Sequence, residues 1–205
     1  MKIIDGLKLT GQPAEIPDCG RGDLPQFFVE MGYKVGAEVG VYKAEYTVEF
    51  CRAGLKMYAV DAWQAYEEYN EPWHNFQERQ DFLYGHAQRT LAPYPDAVFV
   101  RKFSMDAVKD FADESLDFVY IDAHHGFKHV TEDIYEWSKK VRKGGVISGH
   151  DYFESPRYPM IHVVHVLPAF TKAYRIDQWY LLGREHAPEG EKRDLERSWM
   201  WIKSR

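Results

Sequence analysis

Two carboxylates and two imidazoles in the second half of the chain have side chains suited to catalysis or metal binding: Asp122, His125, His150 and Asp151. The first pair follows an apolar run predicted as a buried strand over Phe118–Ile121, and the second follows a similar run over Val146–Ser148. A predicted helix over roughly His129–Val141 connects the runs, which is typical of parallel strands. Because parallel strands end at one edge of a sheet, we expect the four side chains to converge there.

Such a cluster permits two mechanisms. It could hold a divalent cation that binds and acidifies a substrate hydroxyl. Alternatively, a histidine acts as a general base, because its pKa lies near neutral pH, while a carboxylate orients the imidazole. The residue types by themselves leave both mechanisms open.

A glycine turn lies earlier in the chain. Residues Val35–Asp61 are predicted to form a strand that ends at Gly40, a helix over roughly Ala44–Ala53 and a second strand over Met57–Val60. Glycine has no Cβ, so a ligand can lie directly over this turn. Asp61 follows Gly40 by 21 residues (61 − 40), near the spacing of about 20 at which an acidic strand end binds a ribose diol. The unit therefore predicts a nucleoside-containing ligand.

The residues of the turn narrow the choice of nucleoside. The glycine pattern of a dinucleotide site is absent from the sequence, as is a P-loop. Glu38 would repel a phosphate but suits a ligand that carries an ammonium and a sulfonium. Here the sequence resembles the class I S-adenosylmethionine-dependent methyltransferases, whose first motif is E-x-G-x-x-x-G after an apolar strand, with Ala44 at the last position. Alanine is small and favours the helix that begins there.

A second resemblance covers the cluster of carboxylates and imidazoles. Asp117–Asp122 and Arg142–Tyr152 resemble D-x-V-Y-I-D and [KR]-x-G-G-x-I-x-G-H-D-Y, signatures of the methyltransferase domain 24 family. Phe127 replaces the usual tyrosine, and His124 stands where an acidic residue is common. Together the resemblances cover Val35–Tyr152. They imply an α/β fold with a Rossmann-like, mostly parallel sheet, a C-terminal antiparallel hairpin and helices on both faces.

The resemblance implies methyl transfer from S-adenosylmethionine to an oxygen, in preference to a nitrogen, of a small hydroxylated acceptor. The implied cofactor side consists of Glu38, Gly40, Val41, Tyr42, Asp61, Ala62, Trp63, Ser104, Met105 and Asp122. The implied catalytic residues on the acceptor side are His125, His150 and Asp151. Related O-methyltransferases bind Mg²⁺ after the same strands, which makes three residues the candidate metal ligands: Asp122, His150 and Asp151. An imidazole in this set shifts the preference from Mg²⁺ toward Mn²⁺, Fe²⁺ or Zn²⁺.

Two other function classes stay open. A metal-dependent hydrolase or other metalloenzyme would use the His/Asp cluster without S-adenosylmethionine. A non-catalytic domain would bind the nucleoside without turnover. A nicotinamide oxidoreductase is disfavoured by the glycine pattern of the turn.

An aromatic segment, Ala62–Gln88, follows the acidic strand end. Trp63 is placed to stack on adenine, and Trp73–His74, after Pro72, are predicted to form a substrate lid. A helix is predicted over roughly His74–Thr90, and its spacing favours three core residues: Phe76, Phe82 and Leu83. The aromatic content favours a planar or sugar-like acceptor.

The flanking segments complete the predicted architecture. Proline and glycine in residues 1–23 predict an irregular arm, followed by a helix over Leu24–Met31 with Asp23 as its N-cap. A second helix is predicted over Pro159–Leu167, where the following proline ends or kinks it. The terminal hairpin consists of two predicted strands: Tyr174–Leu182 and Ser198–Lys203.

The length and net charge of the chain restrict the number of domains and the classes of binding partner. With 205 residues, one domain over 1–205 is expected, with an arm and helix at 1–34, a cofactor-binding core at 35–152 and a C-terminal part at 153–205. A net charge of −6 and a pI near 5.8 argue against nucleic-acid binding. Neither a signal peptide nor an apolar run of roughly 18 residues is found, so a cytoplasmic protein without membrane contact is expected. Whether the chain forms a homodimer is left open.

Overall fold

The computed structural model describes residues 1–66 and 76–204. In this part of the chain, one sheet contains β1 (Ala14–Ile16), β2 (Val35–Val39), β3 (Lys56–Asp61), β4 (Val98–Arg101), β5 (Leu116–Ile121), β6 (Val141–Tyr152), β7 (Tyr180–Leu182) and β8 (Arg197–Ile202). The helices are α1 (Ile3–Gly6), α2 (Leu24–Glu30), α3 (Glu45–Arg52), α4 (Gln77–Leu91), α5 (Ser104–Ala107), α6 (Phe127–Lys140) and α7 (Val163–Ala173). Short 3₁₀ helices span Arg21–Asp23 and Val108–Asp110. The predicted lid residues, Trp73 and His74, lie outside the described ranges.

The order of the strands creates a cleft in the middle of the sheet. The order is β1-β7-β8-β6-β5-β2-β3-β4, in which β8 runs antiparallel to β6 and β7 while the other neighbours are parallel. From β2 the chain proceeds to β3 on one side and later returns to β5 on the other side. Ligands bind at such a switch point, beyond the carboxyl ends of the strands. The predicted Rossmann-like fold with antiparallel C-terminal strands is confirmed.

Helices pack on both faces of the sheet, because its central strands are apolar on both faces. In β5, Val119 and Ile121 contact the cluster that includes Trp137 of α6, whereas Phe118 and Tyr120 contact the opposite cluster. Successive side chains of a strand point to opposite faces, so one strand supplies both cores. On the second face, the ring of Phe28 from α2 stacks on Phe118 with centroids 4.1 Å apart.

The N-terminal arm is not irregular throughout, as the sequence predicted. Residues Ala14–Ile16 form β1, which pairs in parallel with β7 at the edge of the sheet. A strand of three residues, with one buried–exposed–buried alternation, is too short to be recognised from the sequence. It forms because β7 has an unpaired edge to which its backbone can hydrogen-bond. Asp23 is the N-cap residue of α2, as predicted, but its side chain makes no capping hydrogen bond to the helix. Its carboxylate instead accepts the backbone N–H of Gly20 at 2.9 Å.

The C-terminal third differs from the prediction in its boundaries. Strand β6 begins at Val141, five residues before the predicted start (146 − 141), since the glycine pair that was expected to precede the strand lies within it. Helix α7 covers Val163–Ala173 instead of Pro159–Leu167, and Pro168 lies inside it. The buried apolar stripe of α7 continues past the proline to Phe170, and its packing outweighs the missing backbone hydrogen bond.

Helix α4 turns a different face to the core from the one expected. Leu83 is buried as predicted, but Phe76 and Phe82 are 64% and 63% exposed. The buried stripe of α4 consists of Gln80, Leu83, Ala87 and Leu91, spaced three or four residues apart. Phe82 adjoins Leu83 in sequence and therefore lies about 100° around the helix from it. Among the helices of the described residues, none is both long and apolar enough to cross a membrane.

Candidate active site

A cavity of about 760 Å³ opens at the carboxyl ends of β2, β3 and β5. This volume lies in the range of small-molecule sites, about 300–1,000 Å³. Nine of the sequence-predicted site residues line it: Gly40, Tyr42, Asp61, Ala62, Trp63, Ser104, Met105, Asp122 and His125. The fold therefore brings the glycine turn and part of the His/Asp cluster to one space.

The turn after β2 requires a glycine because two backbone segments meet there. Gly40 has a φ of +92°, and a Cβ at this position would lie 2.1 Å from the carbonyl oxygen of Asp122. The turn thus packs directly against the loop that follows β5. The side chain of Val41 is buried in the core cluster formed with α3 and α4, while Tyr42 is 46% exposed at the cavity.

Asp61 fixes the other side of the turn. One carboxylate oxygen accepts the backbone N–H groups of Val41 and Tyr42, both at 3.0 Å. The other oxygen accepts the N–H of Trp63 at 2.9 Å. These bonds hold the carboxylate at the cavity wall in one orientation.

Glu38 lies behind the turn. It is 2% exposed, and its carboxyl group accepts a hydrogen bond from the hydroxyl of Thr47 on α3. Burial raises the pKa of Glu38 to about 8, the nearby Asp122 adds to the effect, and Thr47 opposes it. The structure places this carboxyl group between the turn and α3, and its predicted role toward a cofactor stays a prediction.

Trp63 belongs mainly to the core. It is 1% exposed, and its ring packs against Tyr84 and Phe99 with centroids 4.9 and 5.9 Å away. Its indole N–H donates to the carbonyl of Tyr42 at 2.9 Å. Part of the side chain still lines the cavity, as does half-buried Met105, which packs against the main core.

Three members of the His/Asp cluster come together at the ends of β5 and β6. The Nε2 atom of His125 lies 3.3 Å from Oδ1 of Asp122 and 2.8 Å from Oδ2 of Asp151. Potential ligand atoms of all three residues lie within 4.8 Å of one another. Asp151 adopts a left-handed conformation with a φ of 61°, which places it at the end of the regular part of β6.

The charges of the three groups depend on one another. Burial by itself would lower the pKa of His125, but the hydrogen bonds to Asp122 and Asp151 outweigh it and raise the pKa to about 10. Burial opposes ionisation of Asp151, but the bonds and charges of His125 and His150 hold its pKa well below the usual range. The cluster therefore carries an imidazolium between carboxylates.

His150 is a neighbour of the trio formed by Asp122, His125 and Asp151, but it is not a member of it. Its Nδ1 atom is 3.7 Å from Oδ1 of Asp151, and its Nε2 atom is buried without a hydrogen-bond partner among the described residues. His150 therefore adjoins the group through Asp151, but the ligand atoms that converge within 4.8 Å belong to Asp122, His125 and Asp151. The geometric trio thus contains His125 where the predicted metal set contains His150.

A comparison with known families decides the class of protein. The model of the family Methyltransf_24, described as a methyltransferase domain, matches residues 37–152, more than half of the chain. The chain belongs to the methyltransferase domain 24 family. No curated protein matches the chain significantly.

Solved methyltransferases share the fold of this family member at low sequence identity. An O-methyltransferase from Bacillus cereus in complex with SAH has a TM-score of 0.58 and 16% identity, covering 89% of this chain and 80% of that chain. The O-methyltransferase TomG from Streptomyces achromogenes, in complex with SAM, has a TM-score of 0.59 and 12% identity, with coverages of 90% and 79%. An N1-methyltransferase from Burkholderia thailandensis, with bound 1,6-didemethyltoxoflavin and S-adenosylhomocysteine, has a TM-score of 0.54 and 13% identity, with coverages of 92% and 80%. The shared fold thus occurs in O- and N-methyltransferases.

Sequence reasoning missed one buried carboxyl group in this methyltransferase. Asp133 of α6 lines the cavity and is 3% exposed. It accepts a hydrogen bond from the hydroxyl of Ser104, which in turn accepts the indole N–H of Trp137 at 2.8 Å. Burial raises the pKa of Asp133 to about 7, and the bond from Ser104 limits the rise. The signal was present, because Asp133 lies on the apolar stripe of Val130, Ile134 and Trp137 at helical spacing.

The N-terminal arm contributes a second missed residue. The guanidinium of Arg21 lies 5.4 Å from the ring centroid of Tyr46, and its Nη1 atom is 3.9 Å from Oδ2 of Asp122. Its backbone N–H donates to the carboxylate of Asp194 in the β7–β8 connection. No local sequence pattern could reveal this placement, because it depends on contacts between distant segments.

Proposed function

We propose that the protein transfers a methyl group from S-adenosylmethionine to an oxygen of a small hydroxylated acceptor. One observation carries the proposal: Gly40 of the glycine turn and Asp61 line the same cavity as Asp122 and His125. A methyl transferase needs a donor and an acceptor in line and close together, and a shared cavity provides this arrangement. The bound ligands of the similar structures support the choice of donor.

In the proposed complex, the ribose hydroxyls donate to the carboxylate of Asp61. Three backbone N–H groups already orient this carboxylate, so little reorganisation is needed on binding. The methionine part then extends along the turn toward the loop that begins at Asp122, where the two segments are in contact through Gly40.

The acceptor lies at the other end of the cavity in this proposal. Its hydroxyl must lose a proton when the methyl group arrives. In this proposal a carboxylate of the group formed by Asp122, Asp151 and His125 orients the hydroxyl and accepts that proton. The same trio would fit a divalent cation after His125 loses its proton to become a neutral ligand, since its ligand atoms converge within 4.8 Å. Two carboxylates and one imidazole suit Mn²⁺, Fe²⁺ or Zn²⁺ better than Mg²⁺. A bound cation would supply a Lewis acid that lowers the pKa of the hydroxyl.

Aromatic side chains near the cavity mouth support a planar or sugar-like acceptor. Tyr66 and Phe103 line the cavity and meet edge to face, with centroids 5.6 Å apart. Phe103 and Tyr42 are 37% and 46% exposed. Partly exposed rings of this kind provide stacking surfaces for flat or ring-shaped ligands.

Calorimetric titration with S-adenosylmethionine and S-adenosylhomocysteine, before and after chelation, tests the proposal. We expect micromolar binding that Asp61→Ala loses and that Asp106→Ala retains, because Asp106 is an exposed carboxylate that pairs with Lys109 near the cavity. A folded wild-type protein that binds neither ligand would overturn the proposal. Ester hydrolysis by the metal-loaded protein would then favour a metal-dependent hydrolase.

A second assay separates catalysis from binding. Labelled methyl transfer to a panel of phenols, catechols and sugars, with and without Mn²⁺, should show turnover with at least one acceptor class. Binding of S-adenosylmethionine with no transfer to any of them would favour a non-catalytic nucleoside-binding domain. A requirement for the cation would favour the metal-assisted mechanism.

A further inference from the structure

A second cavity, of about 390 Å³, lies between the C-terminal turns of α6 and α7. Its volume is also in the range of small-molecule sites, about 300–1,000 Å³. The buried side chains of Ile147 in β6 and Trp201 in β8 line it from the sheet. It shares no described lining residue with the candidate active site, so the two cavities are separate.

Tyr174 supplies a flat apolar surface in this cavity. Its ring stacks on that of Phe170, with centroids 4.4 Å apart, and lies 5.9 Å from the ring of Tyr135. Phe170 is buried, whereas Tyr135 and Tyr174 are 41% and 54% exposed. A planar ligand that packed on these two rings would remove apolar surface from water.

The charged side chains that line the cavity are all cationic among the described residues: Lys139, Arg175 and Lys203. Lys139 is paired with Glu136, with two N–O distances of 2.9 Å. Lys203 donates to a backbone carbonyl at 2.7 Å and lies 3.9 Å from Glu114. The guanidinium of Arg175 makes neither a hydrogen bond nor an ion pair with the described part of the chain. Its donors are therefore available to a ligand, and a guanidinium binds a carboxylate through two parallel N–H bonds.

The backbone of Arg175 supports a function for its side chain. The N–H of Ile176 donates to the carbonyl of Thr171 at 2.8 Å, and the N–H of Arg175 donates to that of Lys172 at 3.3 Å. These two bonds form a Schellman motif at the end of α7, in which Arg175 occupies the left-handed position with a φ of 54°. Glycine is the usual residue at that position, and an arginine there is strained. Such strain points to a role for the side chain.

We propose that the cavity between α6 and α7 binds a small planar aromatic carboxylate. The ring of the ligand packs on Tyr174 and Tyr135, and its carboxylate pairs with Arg175. A neutral aromatic molecule would leave the guanidinium without an ionic partner, and an aromatic cation would be repelled by the three cationic side chains. The inference is independent of the proposed function, because the lining residues of the two cavities differ.

Calorimetric titration with benzoate, 2-naphthoate and indole-3-acetate, each compared with its neutral carboxamide, tests the inference. At least one carboxylate should bind about tenfold or more tightly than its amide, the gain expected from hydrogen bonds to a charged group. Arg175→Gly should remove this preference and keep the fold, since glycine suits the left-handed position. Tyr174→Ala should weaken the carboxylate and the amide alike, because stacking does not depend on the charge of the ligand.

Lys172→Gln is the matched control, because Lys172 is an exposed cation on α7 that does not line the cavity. It should keep the wild-type preference, as should Phe103→Ala, which removes a ring from the candidate active site. Failure of all three carboxylates to bind, or equal affinities for each carboxylate and its amide, would contradict the inference. Loss of binding in Phe103→Ala with binding retained in Arg175→Gly would contradict it as well, since the ligand would then occupy the other cavity.

Discussion

The Nε2 atom of His125 lies 2.8 Å from a carboxylate oxygen of Asp151, and this contact joins the loop after β5 to the end of β6. The same atom lies 3.3 Å from Asp122. One imidazole therefore connects two carboxylates that are 29 residues apart (151 − 122). A change in one of these groups alters the environment of the other two.

The first prediction concerns this coupling. In urea unfolding at pH 7, without metal, we expect the losses of unfolding free energy in His125→Ala and Asp151→Ala to be non-additive by about 1–3 kcal/mol, because each single change removes the nearest charged partner of the other group. The exposed pair Lys102–Asp110, at 2.6 Å with side chains 48% exposed, is the control and should couple by less than about 1 kcal/mol. Additive effects of His125 and Asp151 would contradict the interaction.

The second prediction distinguishes the two candidate metal sets. Excess Mn²⁺ should raise the Tm of the wild-type protein, since a ligand at about 100 times its Kd stabilises the native state by about 2.7 kcal/mol. We expect His125→Gln to abolish the rise and His150→Gln to keep it, because potential ligand atoms of His125, Asp122 and Asp151 converge within 4.8 Å. The reverse result would favour the set that contains His150.

The third prediction concerns pH-dependent stability. The pKa of Glu38 is raised to about 8 from 4.5, so the native state keeps its proton at pH values where the unfolded state loses it. The contribution of Glu38 is full below about pH 4.5 and is lost as pH rises through about 8. As the pH rises from 5 to 9, the free energy of unfolding of Glu38→Gln should therefore increase by on the order of 2–4 kcal/mol relative to that of the wild-type protein.

Urea unfolding at the two pH values measures this gain. The exposed Glu49 on α3 provides the control, because it is 47% exposed and pairs with Arg52 on the surface. Glu49→Gln should follow the wild-type profile. If Glu38→Gln follows it as well, the buried carboxyl group does not titrate as described.

The fourth prediction tests the close approach at the glycine turn. Gly40→Ala should lower the free energy of unfolding by about 3 kcal/mol or more, because its Cβ would lie 2.1 Å from the carbonyl oxygen of Asp122 at a φ of +92°. Gly32→Ala is the matched control: its φ is +78°, but a Cβ there would meet nothing within 4 Å. The free energy of unfolding of that variant should fall by only about 1–2 kcal/mol, because alanine is strained in a left-handed conformation. Equal losses in urea unfolding would show that the contact with Asp122 is not a constraint.

Much of the sheet could be predicted because its signals are local. Continuous apolar runs predicted the central parts of β2, β3 and β5, and the carboxyl-terminal residues Gly40, Asp61 and Asp122 followed from them. The short β1 could not be found in this way, since its pairing with β7 involves residues 166 positions apart (180 − 14). Residues near Pro168 were misassigned because packing of α7 on the sheet overrides the local preference of proline.

The sequence by itself determined the strand ends at which chemistry can occur and the family to which the chain belongs, because both depend on residues close together in the chain. Only the tertiary structure decided which histidine joins Asp122 and Asp151. His125 lies on the loop after β5 and contacts both carboxylates, whereas His150 lies within β6 with its Nδ1 atom 3.7 Å from Asp151. Helical spacing places Asp133 on the buried stripe of α6, but its hydrogen bond with Ser104 at the cavity depends on how α6 packs beside α5, which the tertiary structure decides.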